Sequence, residues 1–156
     1  MDEIVARSMA KWPDVPDVYG WLSLDRRGNW LIKGERIGNA ALRDFICRNY
    51  QPDSRGCWYF QNGPQRVFVS LACTPLVVHL EGGNAADALF DHCGRTFDLI
   101  EAFVDEEGSV LMLGKTGIAL LDDRDLAAYA DRAQSLPGIA RLATPGRFGF
   151  VTHPAP

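Results

Sequence analysis

The chain has 156 residues, 47% of them hydrophobic and 23% charged, with a formal net charge of −4. That composition belongs to a globular protein with a sizeable core and excludes disordered and collagen-like chains. With 16 basic against 20 acidic side chains there is no clustered Lys and Arg footprint, so binding to a nucleic-acid backbone is disfavoured.

The first predicted element is a helix over residues 2–11, where Ile4, Val5, Ser8, Met9 and Trp12 share one side before "WPDVP" stops it. Asp2 and Glu3 stand where a secretory signal carries Lys or Arg, and the most apolar window, "LACTPLVVHL" (71–80), is too short to span a bilayer. The expectation is a cytoplasmic protein without a membrane partner. Cys47, Cys57, Cys73 and Cys93 are then expected as reduced thiols.

Strands at 18–24 and 29–33 flank "DRRG" (25–28), the first of four Asp-x-x-Gly segments; "DSRG" (53–56), "DHCG" (91–94) and "DEEG" (105–108) follow. Asp opening a type I turn caps the backbone with its carboxylate, and Gly at the fourth position takes a positive φ. Each segment reads as a hairpin tip, with "DSRG" the poorest because Gln51-Pro52 precedes it. A second helix at 40–49 gathers Leu42, Phe45 and Ile46, with Asn39 placed to cap it.

The hairpin "CWYFQNGPQRVFVSL" (57–71) carries the densest unusual chemistry. Alternation sends Trp58 and Phe60 to one face and Cys57, Tyr59 and Gln61 to the other. Asn62-Gly63 nominates a two-residue turn, but Pro64 has no amide to donate across it. A wider loop, "QNGPQ", is expected instead. The candidate ligand- or partner-binding residues are therefore Trp58, Gln61, Asn62, Gln65 and Arg66.

Further strands are predicted at 76–80, 88–91, 96–104, 109–113, 117–121 and 147–151. A third helix at 123–133 starts behind Asp122-Asp123 and buries Leu126, Tyr129, Ala130 and Ala133. Pro75 fits an edge or a break between two strands. The fold class is strand-rich α+β, built from antiparallel meanders and hairpins with about three short helices, in a single domain. Residues 22–34 and 102–114 align without a gap, a faint internal repeat that extends to 22–50 against 102–133. Strands 96–104 and 109–113 carry few charges to protect an edge, so a homodimer through a sheet edge is expected.

"GSVLMLGKTG" (108–117) invites reading as a phosphate-binding loop. Such a loop needs four residues between its glycines, a cradle of exposed amides, and a helix after the Lys. Here five apolar-rich residues intervene and "GIALL" follows, so a hairpin is expected. Successive cysteines are too widely spaced for a zinc knuckle, and no metal or cofactor is expected. Cys93, at a hairpin tip beside Arg95, is the one candidate for a reactive thiol, but His92 directly before it is badly placed as a base. No catalytic residue is assigned.

"KWPDVPDVYGWLSLDRRGNW", "FICRNY", "WYFQNGPQRVFVSL", "LLDDRDLA" and the terminal "RFGFV" together resemble an uncharacterised family of small proteobacterial proteins. The resemblance spans nearly the whole chain, and "FQNGPQRV" is its most specific part. It implies a bacterial protein of unknown function and transfers no activity, ligand or catalytic residue. The reading that follows is a non-enzymatic binding or scaffolding domain with a protein partner. The alternatives are a small thiol-dependent enzyme using Cys93 and, more weakly, a single-stranded nucleic-acid binder.

Overall fold

The four Asp-x-x-Gly segments all close as turns, by the same bonds. In a computed structural model, which describes residues 1–83 and 88–156, the Asp amide donates to the carbonyl four residues on: Asp25 to Asn29 at 3.0 Å, Asp53 to Cys57 at 2.8 Å, Asp91 to Arg95 and Asp105 to Ser109 at 2.9 Å. The Asp carboxylate accepts the returning amide of that same residue in each case. Gly28, Gly56, Gly94 and Gly108 sit at φ between 80° and 82°, which only glycine adopts without strain. "DSRG" is no exception, because the strand before it lies at a sheet edge, where proline is tolerated.

The chain divides into two compact units: Met1–Asp25 with Asn29–Ala72 and Phe150–Pro156, and Arg26–Gly28 with Cys73–Gly149. The first holds α1 (Glu3–Lys11), β1 (Val18–Leu24), β2 (Trp30–Ile32), β3 (Glu35–Arg36), α2 (Ala40–Arg48), β4 (Tyr50–Pro52), β5 (Trp58–Asn62) and β6 (Gln65–Leu71). Its sheet has the order β3-β2-β1-β6-β5-β4. The second holds β7 (Leu76–Leu80), β8 (Leu89–Asp91), β9 (Leu99–Asp105), β10 (Val110–Gly114), β11 (Gly117–Leu121), α3 (Leu126–Ala133), β12 (Gly138–Ile139) and α4 (Thr144–Phe148). Its sheet runs β12-β9-β10-β11-β7-β8. Pro75 falls in the break between β6 and β7.

The α+β class holds, but the sheets are mixed. β1 lies parallel to β6, β11 to β7 and β12 to β9, while the hairpin partners are antiparallel. The parallel pairs join strands far apart in sequence, as a crossover requires. Among the described residues there are four α-helices, with α4 standing where a strand over 147–151 was expected. "TPGRF" hides its helix behind proline, which the first helical turn tolerates because its amide has no partner there anyway. Gly149 then ends the helix at φ 67°, and Val151 and Leu71 make lone backbone bonds, to Gly56 and Thr152.

Both sheets place a three-strand antiparallel meander beside the first strand of their unit. β4-β5-β6 meets β1 in one, and β9-β10-β11 meets β7 in the other. This topological repeat sets β1 against β7, whereas the alignment of 22–50 with 102–133 sets β1 against β9. Each unit has its own core: Leu22, Leu24, Trp30, Phe68 and Val69 in the first, and Val78, Phe103, Val110, Met112 and Ala119 in the second. No helix among the described residues is long and apolar enough to cross a membrane.

Candidate functional site

The β5–β6 hairpin decides where the five candidate residues go. Asn62 pairs with Gln65, Gln61 with Arg66, and Phe60 with Val67. The turn therefore has Gly63 and Pro64 at its centre, and the wide loop is not formed. Gly63 takes φ 58°, as a glycine-first hairpin turn demands, and Pro64 sits where no amide has to be donated. The sequence argument against Asn62-Gly63 was sound, and the turn answers it by shifting one residue.

Strand alternation then divides the candidates between two faces. Asn62 and Gln65 line an apolar cavity of 420 Å³ with Trp21, Leu42, Phe60 and Val67. Gln61 and Arg66 line a polar cavity of 350 Å³ with Trp12 and Asp17. Trp58 lines neither; it is buried and packs on Tyr50 with ring centroids 4.9 Å apart.

The apolar cavity owes its shape to two local features. The β1–β6 register shifts between Val18 and Leu22, where Gly20 takes φ 74°. That bulge lets the adjacent residues Trp21 and Leu22 both face the cavity, which a regular strand forbids. An isolated glycine in "VYGWLSL" is the sequence signal for it. The other wall is α2, started where the Asn39 side chain accepts the Leu42 amide at 3.0 Å, and presenting Leu42 and Ile46. Phe45 of α2 meets Phe60 edge-on at 5.4 Å, fixing helix to sheet. Trp21 and Leu42 remain exposed, and the Lys33 ammonium lies 4.9 Å from the Trp21 ring.

On the other face Tyr19 stacks flat on Phe68 at 4.8 Å, and the Arg66 guanidinium lies 4.8 Å over Tyr59. Tyr59 and Phe68 are buried, so these rings belong to the core and offer no platform for stacking bases.

The Gly-Lys-Thr segment is a hairpin, with Gly114 paired to Gly117 between β10 and β11. Free thiols are found at Cys57 and Cys73, and burial pushes both above the ordinary thiol range. The sulfurs of Cys47 and of Cys93 are each held in a disulfide, so the expectation of four reduced cysteines fails at these two. A sulfur held in a disulfide is no thiolate nucleophile, and the thiol-enzyme reading loses its residue. The "DEEG" tip carries a polar network instead. Ser109 Oγ accepts from Arg26 at 2.9 Å and from Arg141 at 3.1 Å, and Arg141 Nε meets Asp105 at 3.0 Å. Among the described residues no three His, Cys, Asp or Glu side chains are grouped to hold a metal ion.

Two solved structures resemble this fold. A DUF1285 family protein from Silicibacter pomeroyi matches with a TM-score of 0.51 and 16% identity over 84% of each chain. A DUF1285 family protein from Shewanella baltica matches with a TM-score of 0.50 and 15% identity over 71% of this chain and 88% of its own. At such identity the likeness concerns the fold alone. No curated protein matches. A family model described as "Protein of unknown function (DUF2946)" matches residues 1–145, and the chain belongs to that family, for which no function is known.

Proposed function

We propose that the protein is a non-enzymatic binding module whose apolar cavity takes a small hydrophobic molecule with one hydrogen-bonding head. The supporting observation is the cavity itself. Its 420 Å³ lies within the range of small-molecule sites, its wall is aliphatic and aromatic, and two side-chain amides, Asn62 and Gln65, stand at one end. Gln65 Nε2 is engaged with the Pro16 carbonyl at 3.1 Å, so Asn62, which is exposed, meets the head group. Titration with medium-chain alcohols and naphthols, followed by tryptophan fluorescence, tests the reading. Saturable binding that Leu42→Arg abolishes without lowering the melting temperature supports it. Absence of binding across the panel, or capture of a protein partner through Trp21 and Leu42 instead, overturns it.

A second reading concerns assembly. β10 is interior to its sheet, but β12 covers β9 only at Val104 and Asp105, leaving Leu99 41% and Ile100 62% exposed beside the uncovered edge. A homodimer paired through that stretch of β9 fits the edge. Light scattering at micromolar concentration reads it directly, and a monomer there removes it.

A further inference from the structure

The polar cavity on the opposite face of the hairpin carries a different ligand chemistry. It is bounded by the end of α1 and the segment after it, through Trp12, Val15 and Asp17, and by Gln61, Pro64 and Arg66 of the hairpin. Two of its groups are unspent, Asp17 and Arg66; Gln61 is 1% exposed, its Nε2 donates to the Gly63 carbonyl at 3.0 Å, and its Oε1 is buried out of a ligand's reach. Asp17 and Arg66 border the same cavity, and among the described residues neither has an ion-pair partner, including each other. The Arg66 guanidinium rests on Tyr59 at 4.8 Å, which steadies the plane and leaves its N–H edge for a carboxylate.

An acid and a base that line one cavity without pairing leave room for a molecule that carries both charges. We propose that this cavity binds a free α-amino acid with an apolar side chain, its carboxylate on Arg66, its ammonium on Asp17, and its side chain against Trp12, Val15 and Pro64. The site is independent of the apolar cavity, with which it shares none of its lining residues.

Calorimetric titration with L-phenylalanine and L-leucine tests it, beside phenylalaninamide, which lacks the carboxylate, and N-acetylphenylalanine, which lacks the ammonium. Saturable binding of the free amino acids is expected, with each blocked derivative weaker by about ten- to a hundredfold, the weight of one charged hydrogen bond. Arg66→Gln is expected to erase the preference for the free carboxylate, and Asp17→Asn the preference for the free ammonium. Both replace side chains with exposed or half-exposed surface and leave folding intact, which circular dichroism confirms. Arg66→Lys restores part of the carboxylate preference. No binding of the free amino acids, or equal binding of free and blocked forms, overturns the proposal. Leu42→Arg leaves this binding unchanged, so failure here and failure of the apolar-cavity reading are separable.

Discussion

At the residue scale, the candidate site turns on positions whose backbone does something unusual. Gly20 has nothing within 4 Å of where a Cβ would stand, yet its φ is 74°. Alanine there meets no clash but must adopt a left-handed conformation costing about 1–2 kcal/mol. If the strand relaxes to avoid that cost, the bulge is lost and Trp21 leaves the cavity wall. Gly20→Ala is therefore expected to lower stability by about 1–2 kcal/mol in urea melts and to shift the Trp21 emission. A variant with wild-type stability and spectrum would show that the bulge does not set the cavity. The same scale explains what the sequence disclosed. The Asp-x-x-Gly turns were legible because Asp and Gly supply both the cap and the φ locally. The alternation of Trp58, Phe60 and Asn62 against Gln61 was legible from strand period alone. That Asn62 and Gln61 serve different cavities follows from that alternation once the turn is fixed on Gly63-Pro64, and Pro64 diverted the reading to a wide loop.

At the element scale, the β10–β11 hairpin shows how a motif can carry a residue for reasons opposite to those it advertises. In a phosphate-binding loop the lysine matters most. Here Lys115 is exposed and its Nζ lies 4.0 Å from an equally exposed Asp98 carboxylate, a surface pair of little worth. Gly114 is the critical residue, since a Cβ on it would come within 2.5 Å of the Phe97 ring, itself buried. Gly114→Ala is expected to destabilise by about 1–3 kcal/mol through overpacking, and Lys115→Ala by less than about 0.5 kcal/mol. Thermal melts of the two variants decide between the accounts, with Mg²⁺-ATP added to each. A large loss at Lys115, or a nucleotide-dependent shift that this variant abolishes, would contradict the hairpin reading. Antiparallel neighbours such as these could be read along the chain, because a short turn joins them. The parallel pairings of β1 with β6 and β7 with β11 could not, since no local signal records which distant strand a strand will meet. The helix α4 was hidden by its own proline and glycine.

At the scale of the whole molecule, each unit holds an aspartate whose ionised form the fold selects. In the second, Asp122 is fully buried. Burial raises its pKa, but hydrogen bonds from Arg124, with Nη2 at 2.6 Å and the amide at 2.9 Å, and the charge of that guanidinium prevail and hold it below the usual carboxylate range, with His79 Nδ1 3.0 Å away. In the first, burial likewise raises Asp53, and the amides of Cys57 and Arg55 with the Arg55 guanidinium bring it below its ordinary value. A carboxylate depressed in the folded state takes its proton more readily in the unfolded chain, whose Asp titrates near about 3.9. The contribution of both groups is therefore complete above that value and is lost as pH falls through the lower, folded pKa. Urea midpoints are expected to be flat from neutrality down to about pH 5 and to fall steeply below about pH 4. Asp122→Asn lowers the neutral plateau, because the amide cannot reproduce the paired carboxylate, and flattens the acid limb. A midpoint that stays level to pH 2, or an acid limb as steep in Asp122→Asn as in the wild type, would mean that Asp122 does not anchor the end of β11 through its charge.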